Sequence, residues 1–584
     1  MADTAADVLI EDIIEWGVDH VFGLPGDGIN GIMEALRKRQ DRVKFIQVRH
    51  EEAAAFMATA YAKYTGRLGC CLATSGPGAV HLLNGLYDAK MDGAPVLALT
   101  GMTYHDLIGT RYQQDVNTQA LFSDVAIFNE RVMGPSHVNN LAHLACRTAL
   151  SYRGVAHITF PTDLQDRHFD GLRSKRNVPA HTGPSYQPAS RPASDETIRR
   201  SAEILNKGRK ICILVGHGAQ GASREVEELA EKLGAPVVTA LLGLDVLPTN
   251  SPYKAGTIGL LGTIASEKAM EECDTLIIVG SSFPYIEYLP KPGQARAVQI
   301  DIDASRIGLR YPVEVGMVGD AKMTLQLLLP LVQYRQDRGF LETAQGRMHS
   351  WRELMDDRAS RVDRPIKPEM LARAVSDLAE PDAIISTDSG TVTTWISRQL
   401  DLKPGQRFSC SGNLATMAPG LPYAIAASLA YPGRQSIAFV GDGAFTMLMG
   451  EMATAVKYDL PIVAVIVKNN TLGQIKWEQM VFLGNPEYGV DLQPIDFAKY
   501  AEAVGAIGFS VEDPQQVRPT LERAMKAGKP TVVEVLCDPY EPPMPAQVTP
   551  EQARHLAEAL ARGEPNRVKI AETLFRNKVH ELTH

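Results

Sequence analysis

The stretch from Ser436 to Lys476 leaves few folds open to this chain. An apolar run, Ser436-Ile-Ala-Phe-Val440, leads into Gly441-Asp442-Gly443. A helical pattern covers Phe445 to Asp459. A second apolar run, Pro461-Ile-Val-Ala-Val-Ile-Val467, then ends in Lys468-Asn469-Asn470. Strand, tight turn, helix and strand make a βαβ unit, and such units build parallel sheets. Ligands of parallel sheets collect beyond the carboxyl ends of the strands, where Asp442 and Asn470 both fall.

A carboxylate and an amide oxygen fixed on rigid strands suit a hard cation such as Mg²⁺. That ion takes few protein oxygens and completes its octahedron with phosphate and water. Gly441 and Gly443 bracket Asp442 where strand turns into helix, and they allow phosphate to come close to backbone N–H groups. The start of the following helix favours an anion. The stretch therefore reads as a site for a diphosphate held through a metal.

The rest of the chain repeats this alternation. A helical period at residues 4–16 stops at Gly17. The strand Val18 to Phe22 follows, then the turn Gly23-Leu-Pro-Gly26-Asp-Gly28. After a helix and the strand Lys44 to Val48 comes Arg49-His50-Glu51-Glu52. A helix from Ala53 to Tyr64 leads to the strand Leu68 to Thr74 and the turn Ser75-Gly76-Pro-Gly78. The strand Ala94 to Thr100 closes the series as read here. This domain spans residues 1–175, and the proline-bearing stretch 175–197 is a linker. A second α/β series occupies 197–335, with Gly216-His-Gly218-Ala-Gln-Gly221 between strand and helix. A dinucleotide fingerprint wants an acid at the end of the next strand. The run Pro236 to Leu242 has none, so a standard NAD site is rejected. Charged residues 335–368 read as a second linker, 369–540 as the third domain and 541–584 as a tail. The fold class is α/β, with three doubly wound parallel-sheet domains.

With 584 residues the chain has room for three such domains. Its net charge of −9 argues against a nucleic-acid partner, and no apolar run approaches the ~20 residues of a membrane helix. The start of the chain lacks the basic and apolar regions of a signal peptide. The seven cysteines are scattered, without a Cys-x-x-Cys pair. These features predict a cytoplasmic protein with reduced thiols.

Gly-Asp-Gly, 25 residues, then Asn-Asn resembles the thiamin-diphosphate motif. With the other turns, the chain resembles the thiamin-diphosphate enzymes that act on 2-oxo acids, closest to FAD-containing pyruvate oxidase and pyruvate dehydrogenase (quinone). The resemblance implies that the first domain holds the aminopyrimidine, the second FAD and the third the diphosphate with Mg²⁺, in sites between the subunits of a homo-oligomer, commonly a dimer of dimers. Glu51 takes the place of the catalytic glutamate. It hydrogen-bonds the far ring nitrogen so that the cofactor's amino group can take the thiazolium proton, and a carboxyl enclosed in an apolar pocket holds its own proton for this. Asp442, Asn470 and the Leu472 carbonyl match the metal ligands. Met417 matches the residue under the thiazolium. Gly26, Ser75, Gly76, Ser389, Gly390, Ala415, Ala444, Gly473 and Ile475 match other cofactor positions. Gln114 and Glu478 match positions near the substrate. Gly216, Gly218, Gly259, Leu260, Gly280, Ser282, Phe283, Asp301 and Asp320 stand for FAD binding. His81 and His217 are read as structural or solvated.

The implied reaction is oxidative decarboxylation of a small 2-oxo acid, pyruvate first, with electrons passed to FAD and then to quinone or O₂. An acetolactate-synthase-like carboligase is the alternative, because that group also keeps FAD. Gln113 and Gln474 depart from the pattern: both stand where the oxidases carry Phe. Two amides near the reacting carbon are expected to favour a more polar 2-oxo acid or carboligation acceptor. The tail is expected to be a solvated helical segment packing on its own subunit, with attachment to membrane lipid as the weaker reading.

Overall fold

The computed structural model describes residues 4–169, 171, 173–177 and 190–583, with side chains to residue 577. Three six-stranded sheets, all parallel, follow one another along the chain. The first contains β1 (His20–Gly23), β2 (Lys44–Gln47), β3 (Gly69–Ala73), β4 (Val96–Met102), β5 (Ala126–Arg131) and β6 (Val155–Pro161). Its order is β2-β1-β3-β4-β6-β5. The second contains β7 (Ile211–Val215), β8 (Val237–Thr239), β9 (Lys254–Thr257), β10 (Thr275–Val279), β11 (Arg296–Asp301) and β12 (Val315–Val318). Its order, β12-β11-β10-β7-β8-β9, is that of a doubly wound dinucleotide fold. The third contains β13 (Ile384–Thr387), β14 (Arg407–Ser409), β15 (Ser436–Gly441), β16 (Ile462–Lys468), β17 (Ile507–Val511) and β18 (Thr531–Leu536). Its order, β14-β13-β15-β16-β18-β17, repeats that of the first sheet position for position.

Three sequence readings are corrected. The first series does not close at β4: β5 and β6 follow. The run assigned to a helix from Phe445 to Asp459 is broken into Asp442–Leu448, a 3₁₀ turn at Met449–Glu451 and Met452–Lys457. The stretch 335–368 is not a plain linker, because it holds the helix Gly339–Ala359, whose Leu341, Ala344, Trp351, Met355 and Ala359 are buried along one face. Part of the 175–197 linker lies outside the described residues.

First and third domains share one core. The helix Glu51–Thr65 carries Ala53, Ala54, Ala55, Ala58, Ala60 and Ala62, all buried. Small side chains let neighbouring backbone come close: a Cβ on Gly85 would stand 2.6 Å from Ala55 Cβ, and one on Gly69 would stand 2.1 Å from Ala58 O. The same core takes in the apolar helix Gly420–Ala430. Near the end of the first helix, Lys63 Nζ reaches Asp92 at 2.6 Å, Asp88 at 3.4 Å and the Tyr423 hydroxyl at 2.7 Å. Tyr423 in turn donates to Asp88, closing a buried network across the two domains.

The tail forms the helices Pro550–Ala561 and Arg567–Thr583. Its apolar residues Leu556, Leu560, Ile570 and Leu574 pack inward on Trp477, Met480 and Val481, whereas Phe575 is exposed. No helix among the described residues is long and apolar enough to cross a membrane.

Removing one member of a buried charge network leaves the others without compensation. Lys63→Met is expected to destabilise the protein by about 3–5 kcal/mol, read as a lower midpoint in urea unfolding. An unchanged midpoint would mean that Asp88 and Asp92 are neutral in the folded protein.

Candidate active site

In all three sheets the predicted residues gather where the strand order reverses. In an open α/β sheet that crevice, beyond the carboxyl ends of the strands, is where ligands bind. In the third domain β13 runs into Ser389-Gly390 and its neighbour β15 into Gly441-Asp442. In the second, Gly216 follows β7 and Gly280 follows the adjacent β10. In the first, the Gly26 turn follows β1, and Ser75 follows the adjacent β3.

Asp442 is buried, and its carboxylate ties the strand ends together. Oδ1 accepts Gly443 N–H at 2.8 Å, and Oδ2 accepts the Asn469 and Asn470 N–H groups at 3.0 and 2.6 Å. Burial raises its pKa, against the pull of these amides. Asn470 adopts a left-handed backbone (φ 55°). Asn469, Thr471 and Leu472 line the cavity beside Asp442, and Asn469 Oδ1 accepts the Thr471 N–H at 3.2 Å, closing the turn after β16. The Leu472 carbonyl accepts the Lys476 N–H at 3.0 Å.

The cavity is large, about 1660 Å³, and runs without a break between the third and second domains. Ser389, Gly390, Ala415, Met417, Gly441, Gly443, Ala444, Gly473, Gln474, Ile475 and Glu478 line one part of it. A Cβ on Gly443 would stand 2.9 Å from Leu472 Cδ2 and 3.6 Å from Met417 Cε, so a larger residue here would push the Leu472 side chain. Gln474 Nε2 donates to Glu478 Oε1 at 2.9 Å, so one amide proton already has a partner.

The other part is lined by Gly216, Gly218, Gly259, Leu260, Gly280, Ser282, Phe283, Asp301 and Asp320. The Gly216 and Gly280 turns pack backbone on backbone. Gly218 N–H donates to Gly280 O at 2.9 Å, and a Cβ on Gly280 (φ +58°) would stand 2.4 Å from Gly218 C. Asp320 caps the helix Ala321–Leu328 through Met323 N–H. Burial raises the pKa of Asp301.

Several wall residues escaped sequence reading. His217 lines the cavity, and burial pushes its pKa down to about 4. Arg153, at the end of the helix Pro135–Tyr152, has φ 51° and no salt bridge among the described residues. Its side chain is exposed on the cavity wall. The buried Tyr64 hydroxyl, also on the wall, finds no hydrogen-bond partner among the described residues. No motif marks Tyr64 or Arg153 in the sequence.

The first-domain residues form a second, separate group. Ser75 Oγ donates to Gln114 Oε1 at 2.7 Å, and a Cβ on Gly76 (φ +68°) would stand 2.8 Å from Gln114 Cβ. Gln114 itself has φ 60°, and Gln113 beside it is exposed. Gly26 packs on Thr74, with room for no Cβ. Glu51, buried in the first turn of its helix, has Oε2 2.9 Å from His81 Nδ1, and the His81 ring stacks on His50 at 4.5 Å. His81 is therefore a partner of Glu51 and not a bystander. None of Gly26, Glu51, Ser75, Gly76, Gln113 and Gln114 lines the large cavity of the same chain, so Gln113 and Gln474 are not brought together within one chain.

Three family models match in this order: the N-terminal TPP binding domain of thiamine pyrophosphate enzymes at residues 3–121, the central domain at 198–328 and the C-terminal TPP binding domain at 388–535. A putative thiamine pyrophosphate-containing protein, YdaP, of Bacillus subtilis is 42% identical over 551 residues, covering 94% of each chain. The chain belongs to the thiamine pyrophosphate enzymes. A pyruvate oxidase of Lactiplantibacillus plantarum is 33% identical, over 93% of this chain and 90% of its own. A probable acetolactate synthase large subunit of Methanocaldococcus jannaschii is also 33% identical, over 92% of each chain. Members of both reaction types are thus equally similar, and the family assignment covers decarboxylation and carboligation alike.

The two asparagines should behave differently. Asn470→Ala is expected to weaken Mg²⁺-dependent retention of thiamin diphosphate, measured by equilibrium dialysis, by at least about tenfold, the effect of one lost charge-assisted contact. Asn469→Ala should change it less. The reverse ranking would assign the metal to Asn469.

Proposed function

We propose that this protein catalyses thiamin-diphosphate-, Mg²⁺- and FAD-dependent oxidative decarboxylation of a small 2-oxo acid, with pyruvate the first substrate to test. The observation that carries the reading is the unbroken cavity joining the Asp442 wall to the Gly216–Gly280 turns. A diphosphate and its metal fill only the first part. The second part offers glycine turns at a switch point, and the Arg153 guanidinium and Tyr64 hydroxyl, which have no salt-bridge or hydrogen-bond partner among the described residues, a donor set that fits a dinucleotide.

In this reading Asp442, Asn470 and the Leu472 carbonyl would hold Mg²⁺, and the metal would anchor the diphosphate. When bound, thiamin diphosphate supplies the nucleophilic carbon and electron sink for loss of CO₂, and FAD supplies a two-electron acceptor. Met417 forms an apolar wall beside Gly443. Glu51 would hydrogen-bond the pyrimidine ring, with His81 fixing its Oε2. Gln474 and Glu478 orient the substrate as a hydrogen-bonded pair.

Glu51 and its neighbours do not reach the large cavity within one chain. We infer that the working site joins the first domain of one copy to the third domain of another, in a homo-oligomer. Glu51→Gln is expected to keep the fold and lower turnover by about 10²–10⁴-fold, as for other positioned acids. Asp442→Ala should release thiamin diphosphate and Mg²⁺ while FAD stays bound. Mixing and reassociating the two inactive variants decides the subunit question. Recovered activity is expected, since mixed oligomers pair an intact Glu51 with an intact Asp442. No recovery would place both halves in one chain.

A carboligase reading is kept for the glutamines. An amide pair beside the keto carbon suits a polar partner. The Gln113→Phe/Gln474→Phe double variant is expected to move kcat/KM toward pyruvate, relative to hydroxypyruvate, by about tenfold. An unchanged ratio would remove both residues from specificity.

A further inference from the structure

The helix that carries Gln474 is too short to hold itself. Gly473–Trp477 has five residues and continues into a π-helical turn, Glu478–Phe482. Isolated helices of this length are not stable in water, and π turns have poor hydrogen-bond geometry. Their side chains must therefore be fixed from outside. Gln474, Ile475 and Glu478 line the cavity, so the fixing comes from the other side.

That side is covered by the tail. Met480, Trp477 and Val481 are buried against Ala559 and Ile570, with Leu556, Leu560 and Leu574 around them. Lys476, between Gln474 and Glu478, is fully buried and pairs with Glu487 at 2.7 Å. Its ammonium also lies 4.7 Å from the centre of the Tyr540 ring. Glu487 is gripped by the turn between the tail helices: its N–H donates to Glu564 Oε2 at 2.9 Å, and Asn566 Nδ2 donates to its Oε1. Arg562 adds a bond to Gly484 O at 3.1 Å. The far end of the tail is anchored as well, since Asn577 bonds both Glu541 and Arg361.

We propose that the tail is a fixed buttress of the active site, and that Lys476, Glu487 and Asn566 are positioning residues for Gln474 and Glu478. None of the three contacts the reacting atoms. The tail turn holds Glu487, Glu487 holds Lys476, and Lys476 sets the rotation of the short helix about its axis. Its apolar face is thereby used inside the subunit. The proposal rests on the functional reading only for the consequence at the reacting carbon; the mechanical link stands by itself.

The test separates the two. Hydrogen exchange is measured on the wild-type protein, on Asn566→Ala and on a truncation after residue 549. Amides of residues 473–482 are expected to exchange at least about tenfold faster in both variants, with those of 442–448 unchanged, because local opening follows loss of local contacts. Turnover of the 2-oxo acid that the wild type uses is expected to fall about tenfold or more in kcat with the KM for thiamin diphosphate unchanged, the scale of a small misplacement. A merely structural tail would lower thermal stability and leave kcat per cofactor-loaded enzyme intact. Equal protection of 473–482 in wild type and Asn566→Ala would overturn the proposal, as would unchanged kcat. If the truncation does not fold, Asn566→Ala alone decides. A wild type without thiamin-diphosphate-dependent turnover would overturn the functional reading, and the exchange result would still judge the buttress.

Discussion

The site depends on one carboxylate. Asp442 sits where β15 ends, and its oxygens collect N–H groups from its own turn and from the end of β16. This fixes the spacing between two strand ends that otherwise meet only through the ladder. It also ties down the left-handed turn at Asn470. A buried carboxylate favours a compensating charge in the cavity. Sheet geometry and cation affinity are thus one arrangement seen from two sides.

Much of this was legible in the sequence, for identifiable reasons. Strands buried on both faces read as continuous apolar runs, so β7, β15 and β16 stand out. Glycines at strand ends mark switch-point turns, and Gly216, Gly218 and Gly280 line the cavity. What was missed involves features without a local signal. The helix Gly339–Ala359 carries charge on most of its surface, and its narrow apolar stripe was hidden by it. β6 holds His157 in its interior, a polar residue made tolerable by Thr100 and Asn129 across the sheet. His81 became visible as a partner of Glu51 only once the turn after β3 was folded against the helix.

The family assignment is shared by enzymes that oxidise a decarboxylated substrate and enzymes that join it to a second carbonyl compound. The chain's own departures, Gln113 and Gln474, touch this choice directly. In the structure Gln474 is paired with Glu478, so its contribution is the fixed orientation of a carboxylate and an amide together. That pair is held by a five-residue helix whose other side belongs to the tail. In the proposed function, specificity and tail packing are coupled through Lys476.

In the proposed function the cavity brings a decarboxylation site and a redox-active flavin into one path. The most direct measurement mixes pyruvate anaerobically with protein loaded with thiamin diphosphate, Mg²⁺ and FAD and follows the flavin absorbance. Bleaching that requires thiamin diphosphate and disappears in Glu51→Gln is the predicted result. A flavin that stays oxidised while CO₂ is released and a carboligation product forms would contradict the oxidative account.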